Sequence, residues 1–379
     1  MVREVPFFRT SIDESDIERV VAVLRTNFLT TGPVVAELEQ SLASYTDTAA
    51  AVVVTSGTAA LHLSLIALGV GSGDEVITTP MSFVATSNAI VQAGARPVFV
   101  DVNAGTGNID ADRVEEAITP RTRAVLPVHM YGQPCDMRAL AEIASRHGLA
   151  IVEDAAHALE ARQDGESIGA RSAAACLSFY ATKNITSGEG GAIVTRDRAL
   201  AERLRRLRLH GLSAGAADRY TGLYRHYDVP EPGWKCNMSD IQAALLVGQL
   251  ARVDDLLAQR VSAFNRYADA FQDVDGIRMP VRISGDRHAA HLFTIQVDPR
   301  KRDAILHGLQ QRAIGVAVNF RPIHLFEGYA RLLDHALGDF PEAERIGAST
   351  VTLPLYPNIS VEDQQIVIHA VKETVHEAV

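Results

Sequence analysis

Lys183 stands between a short apolar strand and three glycines, Gly188, Gly190 and Gly191, in the stretch LSFYATKNITSGEGGAIVT. An amine on a loop beside a buried crevice loses proton affinity to desolvation, and its neutral form attacks an aldehyde. The glycines let the backbone turn tightly into the next strand, AIVT. A solvated lysine in a turn is the ordinary reading of one such residue. The assignment therefore needs partners.

Two other segments supply them. VVVTSGTAALH reads as strand, turn and helix, and it sets Ser56, Gly57 and Thr58 where free amides and hydroxyls can hold a phosphate. The same residues also suit plain helix capping. LAIVEDAAHALEA ends an apolar strand with Glu153 and Asp154, and His157 follows. A carboxylate at a strand end can pair with a protonated ring nitrogen and so improve a heteroaromatic electron sink, a role that suits Asp154. Taken singly, Asp154 is equally an N-cap and His157 a packed core histidine. Together, a phosphate cradle, a ring-nitrogen carboxylate and a Schiff-base lysine on one α/β domain are what pyridoxal 5'-phosphate requires.

The elements that must position these residues follow from the hydropathy pattern. From about residue 50 to 195, apolar β-branched runs alternate with helical patterns of 10–15 residues, which indicates βαβ units and a parallel sheet covered on both faces. Ahead of it, SIDESDIERVVAVLRTN predicts a helix outside the sheet, opened by a Ser11/Glu14 capping box and striped by Ile17, Val20, Val21 and Leu24. Residues 213–236 read as a loop, and the following 30 or more residues as one long connecting helix. Beyond Gly276, HLFTIQV and GVAVNF predict strands among helices, the last helix opened by Ser360 with Asp363. The expected division is an N-terminal arm with a large domain over 1–250 and a small α+β domain over 251–379.

Bulk properties exclude other classes. A net charge of −10 opposes attraction to nucleic acid, and the arginines between Arg203 and Arg208 read as a solvated helix face. Cys135, Cys176 and Cys236 are too scattered for a zinc site or a disulfide framework. No leader-like or membrane-spanning apolar stretch is present, so a cytoplasmic protein without membrane partners is expected. GVGSGDE precedes a strand and is no dinucleotide fingerprint, and the Ser56 turn lacks the G-K-[ST] of a P-loop.

The combined motifs resemble the DegT/DnrJ/EryC1/StrS nucleotide-sugar aminotransferase family. They run from TTGPVVAELEQSLASY through SGTAALHLSLIALGVGSGDEVITTP, VLPVHMYGQPCDM, EDAAHA, KCNMSDIQAALLVGQL and FRPIHL to LPLYP. The resemblance implies the α/β, aspartate-aminotransferase-like fold type I: a large domain with a mixed, mostly parallel sheet, and a smaller C-terminal α+β domain. ATKNIT and PGWKCNMSDIQAAL are most similar to the UDP-4-amino-4-deoxy-L-arabinose:oxoglutarate aminotransferase type. It implies that Lys183 binds pyridoxal 5'-phosphate covalently, with Asp154 on the ring nitrogen and His157 beside it. Gly57, Thr58, Ala59 and Ser178 would hold the phosphate, and Phe83 would stack on the ring. Asn237 would reach the phosphate from the second subunit of a homodimer, and His324 would lie near the sugar. L-Glutamate and 2-oxoglutarate are the implied donor pair, and a nucleotide-linked keto sugar the acceptor, in polysaccharide or lipopolysaccharide biosynthesis. Two departures stand out: Glu160 replaces a usual glycine, and Phe83 a tryptophan of the arabinose type. The latter leaves a 4-keto-6-deoxyhexose as an alternative substrate. A sugar dehydratase is disfavoured because that branch carries histidine at the Lys183 position, and a non-catalytic regulator because no DNA-binding pattern occurs.

Overall fold

The computed structural model describes residues 3–213 and 226–377. Two helices, α1 (Glu14–Leu24) and α2 (Pro33–Tyr45), lead into β1 (Ala50–Val54), α3 (Gly57–Ala67), β2 (Glu75–Thr78), α4 (Ala85–Gln92) and β3 (Arg96–Phe99). Next come α5 (Ala111–Val114), β4 (Thr122–Leu126), α6 (Met137–His147) and β5 (Ala150–Asp154). A small hairpin, β6 (Arg162–Gln163) and β7 (Glu166–Ser167), precedes β8 (Ala174–Ser178), β9 (Gly191–Thr195) and α7 (Arg198–Leu207). The remainder comprises α8 (Asp240–Ala251), α9 (Val253–Phe271), β10 (Phe293–Gln296), α10 (Arg302–Gln311), α11 (Glu327–Leu333), α12 (Pro341–Ser349), β11 (Thr350–Leu353) and α13 (Val361–Glu377).

Seven strands make one sheet in the order β1-β9-β8-β5-β4-β2-β3. β9 alone runs against the common direction. The C-terminal ends of the other six strands therefore meet the start of β9 along one edge, the usual ligand crevice of such sheets. Every residue of β1, β2 and β9 is buried because helices cover both faces. On one face Leu61, Leu63, Ile90 and Leu204 pack on Val52, Val76 and Leu126. On the other, Leu38, Leu42 and Leu246 pack on Val53, while Leu140 and Ile143 pack on Ile77 and Val125. A separate core joins α9, α10 and α13 to the β10–β11 pair and takes in Val5 from the N-terminal arm, which bridges to Ile314. No helix among the described residues is long and apolar enough to cross a membrane.

Several local expectations are corrected. The helix α1 is capped by Asp13, with its box closed by Asp16 rather than by Ser11 and Glu14. It packs on α8 through buried Asp16 and Val23, and its apolar residues Ile17, Val21 and Leu24 are exposed. The reason is an ion pair: Arg252 reaches Asp16 and the Ser11 carbonyl, and turns that face inward. The long connecting helix is two, because Arg252 leaves helical geometry (φ −112°, ψ 17°) between α8 and α9. GVAVNF forms no strand; only Ala317 bridges to Thr352 of β11. The predicted loop over 213–236 falls partly on residues 214–225, outside the described residues. Asp363 N does donate to Ser360 Oγ (2.9 Å) at the start of α13, as the sequence predicts.

The arginines of α7 are not a free basic face. β1 is an edge strand whose open groups are filled by side chains: Val53 N donates to Glu39 Oε1 (3.1 Å), and Arg208 Nη1 donates to the Val53 carbonyl (2.6 Å). Arg208 also pairs with Glu39, and Arg205 joins Glu39 to the Ala51 carbonyl. A charged pair thus stands in for a missing neighbour strand. Replacing Glu39 by alanine strands the enclosed Arg208 guanidinium and the Val53 amide, so urea unfolding should register a loss of about 3 kcal/mol. A loss under about 0.5 kcal/mol would contradict this role for Glu39.

Candidate active site

A cavity of about 510 Å³ opens at the C-terminal strand edge. Its walls include Ser56, Gly57, Thr58, Phe83, Thr86, Asp154, His157, Ser178 and Lys183. Phe7, Tyr180, His291, Asn319 and Phe320 complete much of the rim.

The strand ends deliver these residues in order. β1 runs out into Ser56, which caps α3 by accepting from Ala59 N (3.1 Å) and leaves the turn at Gly57 and Thr58 facing the cavity. A side chain at Gly57 would begin 2.9 Å from Ser178 Cβ, so the two backbones approach as closely as glycine allows. Gly191 is tighter still: a Cβ there would stand 2.7 Å from Gly57 N and nearer to the Ser56 carbonyl. These approaches keep an open cradle of amides and hydroxyls at the start of α3.

Alternation along β5 separates its two acids. Glu153 points into the protein, accepting from Gly169 N (2.9 Å) and meeting His129 Nε2 (2.7 Å). His129 Nδ1 in turn accepts from Cys135 N (3.0 Å), so Nε2 is the donor to Glu153. Asp154 faces the cavity, holding hydrogen bonds from Thr86 Oγ1 (2.8 Å) and Ala156 N (3.2 Å). Burial raises the Asp154 carboxyl above its ordinary range, opposed by these hydrogen bonds and by the Lys183 charge. Such a carboxylate is under-compensated and suits a cationic partner.

Lys183 sits on a loop stapled at both ends. Phe179 N donates to the Gly190 carbonyl (2.8 Å), and Ser187 N returns to the Phe179 carbonyl (3.1 Å). Gly188 adopts φ +79°, which makes the turn possible. The buried Gln249 side chain of α8 accepts from Thr186 N (3.0 Å) and donates to the Thr186 carbonyl (2.8 Å). Lys183 keeps accessible surface in the cavity it lines, yet the surrounding protein lowers its amine to about 8 by desolvation, against the pull of Asp154. About a tenth of the amine is then neutral at pH 7, far more than for an ordinary lysine. His157 is held well below its ordinary value by burial and then by the Lys183 charge. Its Nδ1 has no partner, and its ring lies 4.3 Å from that of His291 and 5.9 Å from stacked Phe320.

Of the residues singled out in the sequence, Gly57, Thr58, Phe83, Asp154, His157, Ser178 and Lys183 converge on the cavity. Ala59 does not line it, because its amide is spent on Ser56. Asn237 lies beside Val54 but is bound to Thr31 Oγ1 (2.8 Å) and Lys235 Nζ (2.6 Å), outside the cavity of its own chain. His324 is fully buried against Phe340, with Nε2 on Glu344 (2.9 Å), and does not reach the cavity. Glu344 also accepts from the Gly338 and Phe340 amides, so this cluster braces α12. Thr86, Gln249, His291 and Phe320 join the site without standing out in the sequence, because their partners lie far away along the chain.

Fold and site define a class: an enzyme of the fold type I group that uses pyridoxal phosphate. A family model for the DegT/DnrJ/EryC1/StrS aminotransferase family matches residues 10–372. The chain is 42% identical to the spore coat polysaccharide biosynthesis protein SpsC of Bacillus subtilis, over 98% of this chain and 97% of that protein. It is 39% identical to the UDP-4-amino-4-deoxy-L-arabinose–oxoglutarate aminotransferase of Shewanella sediminis, over 98% of both chains. Spr1654 of Streptococcus pneumoniae, solved in its PLP form, superposes with a TM-score of 0.93 at 31% identity and full coverage of both chains; its PMP form gives 0.94. The chain belongs to the DegT/DnrJ/EryC1/StrS aminotransferase family, and it is a sugar aminotransferase whose cofactor is pyridoxal 5'-phosphate.

Two outcomes follow from this geometry. The rate at which cofactor-free protein captures pyridoxal phosphate should rise with pH and level off above about 8, as Lys183 loses its proton; a rise continuing to pH 10 would mean an ordinary, solvated amine. Gly191→Ala should force the Ser56–Gly57 turn aside and weaken cofactor binding by about tenfold or more in equilibrium titration. Unchanged affinity would show that the turn does not hold the cofactor.

Proposed function

We propose that this enzyme moves the amino group of L-glutamate to the C4 keto group of a UDP-linked sugar, releasing 2-oxoglutarate. The observation that carries the chemistry is Lys183, enclosed and low in proton affinity, in one cavity with Asp154 and the Gly57–Thr58 cradle. The cavity residues fit the cofactor: a side chain at Gly57 would crowd the turn at the start of α3, where amides and hydroxyls face the cavity, and the under-compensated Asp154 suits a cation. Bound there, pyridoxal phosphate supplies an electron sink for the carbon that gains or loses the amine.

The protein's own residues would divide the remaining work. Gly57, Thr58 and Ser178 would hold the phosphate, and Asp154, fixed by Thr86, would keep the ring nitrogen protonated. Lys183 would hold the cofactor covalently and, once displaced, move the proton at the substrate carbon. Phe83 and His157 would bracket the ring. The choice of glutamate and of a UDP-4-keto-pentose leans on similarity to the arabinose enzyme of Shewanella sediminis. Phe83 at the cavity rim, in place of that type's tryptophan, favours testing a 4-keto-6-deoxyhexose beside it. His324 is fully buried outside the cavity, and Phe7, Tyr180 and Phe320, which line it, would contact the sugar.

A cytoplasmic homodimer with shared sites completes the reading. The exposed apolar residues Ile17, Val21, Leu24 and Leu29 support such an interface, and Asn237, which lies outside the cavity of its own chain, would reach the partner's phosphate.

Mass detection of the amino sugar formed from UDP-4-keto-pentose and from UDP-4-keto-6-deoxy-GlcNAc, with L-glutamate as donor, tests the reading; no amino product from either would refute it. Lys183→Ala should cut turnover at least about a thousandfold. Mixing Lys183→Ala with Asn237→Ala chains should restore about a quarter of wild-type activity if sites are shared in a two-fold dimer. No restoration would exclude sharing through Asn237.

A further inference from the structure

Behind Lys183 lies a second polar group, built around a buried ion pair. Glu160 and Arg260 are each 1% exposed and form an ion pair through Oε1 and Nη2. The other oxygen of Glu160 accepts from Asn184 Nδ2 (2.6 Å), and the same nitrogen donates to the Ala289 carbonyl (3.3 Å). Asn184 Oδ1 faces His291 Nδ1 at 2.7 Å. Asn184 directly follows Lys183, and the His291 ring lines the Lys183 cavity and rests on His157.

The donor and acceptor roles in this chain are forced. Arg260 can only donate, and the Glu160 carboxylate, as its ion-pair partner, accepts. The Ala289 carbonyl also only accepts, and both acceptors meet the nitrogen of the Asn184 amide. Its oxygen must then face His291, whose Nδ1 must carry a proton to donate. Burial, with the charges of Lys183 and Arg260, keeps the His291 ring neutral, so Nε2 is bare.

We infer that Glu160 is a positioning residue: through Asn184 it sets the tautomer of His291, fixing the proton on Nδ1 and leaving Nε2 as an acceptor on a ring of the Lys183 cavity. Its importance for catalysis rests on that cavity being the active site, but the tautomer does not. Arg260 makes the relay directional. In Glu160→Gln, the glutamine oxygen must face Arg260, so its NH2 faces Asn184; the asparagine amide turns over, giving up its long bond to the Ala289 carbonyl (3.3 Å) for the shorter one to residue 160, and His291 must accept at Nδ1. Removing the guanidinium as well, in Glu160→Gln/Arg260→Met, frees the glutamine oxygen to face Asn184 again.

The test is the 15N shift pattern of the imidazoles in the cofactor-loaded enzyme, with His291 assigned by its loss in His291→Gln. The expected result is Nδ1–H in wild type, Nε2–H in Glu160→Gln and Nδ1–H again in the double variant. Nε2–H in wild type would overturn the inference without any variant, which covers the case of a Glu160→Gln chain that does not fold. A tautomer unmoved by Glu160→Gln, or not returned by the second substitution, would overturn it too. No substrate is present, so failure of the proposed sugar chemistry would leave this result untouched.

Discussion

An enclosed amine beside an enclosed carboxylate is the constraint on which the site depends. Desolvation lowers Lys183 to about 8 and raises Asp154, and each charge partly offsets the cost imposed on the other. Neither group is fully compensated by the protein alone. That residual cost is chemically useful, because an aldehyde consumes the neutral amine and a ring cation satisfies the carboxylate. The neighbouring histidines add no positive charge, since burial keeps His157 and His291 neutral.

Maintaining this arrangement is the task of the fold. Six strands ending on one edge bring residues from positions 56 to 183 into one crevice, and the reversed β9 places Gly191 against the Ser56–Gly57 turn. Gln249 fixes the Lys183 loop by both backbone groups of Thr186, and Thr86 fixes Asp154. The hydrogen-bonded set Arg260–Glu160–Asn184–His291 then ties the loop to α9. Rigid elements thus hold the reactive groups, while Phe83 and Tyr180 at the rim remain exposed.

The sequence reveals those residues whose chemistry is signalled locally. Strand–turn–helix at Ser56–Thr58, the acid ending β5 and the lysine between strand and glycines are each readable within about ten residues, and the alternating pattern yields the sheet. Groups whose roles depend on distant partners are not readable in this way. Gln249 looks like any polar position of a helix, and Glu160 stands out only as a departure from glycine; its meaning appears once Arg260 and Asn184 are beside it. The break at Arg252 and the outward face of α1 are likewise tertiary effects, since the pull of Asp16 on one guanidinium overrides both periodicities. His324 shows the converse: the motif suggests a place near the sugar, and in this chain Glu344 and Phe340 hold the ring in the interior.

The most direct measurement is borohydride trapping of the cofactor-loaded enzyme followed by peptide mapping. The account predicts one stable pyridoxyl adduct, carried by the peptide that contains Lys183. An adduct on a different lysine, or none at all, would contradict it.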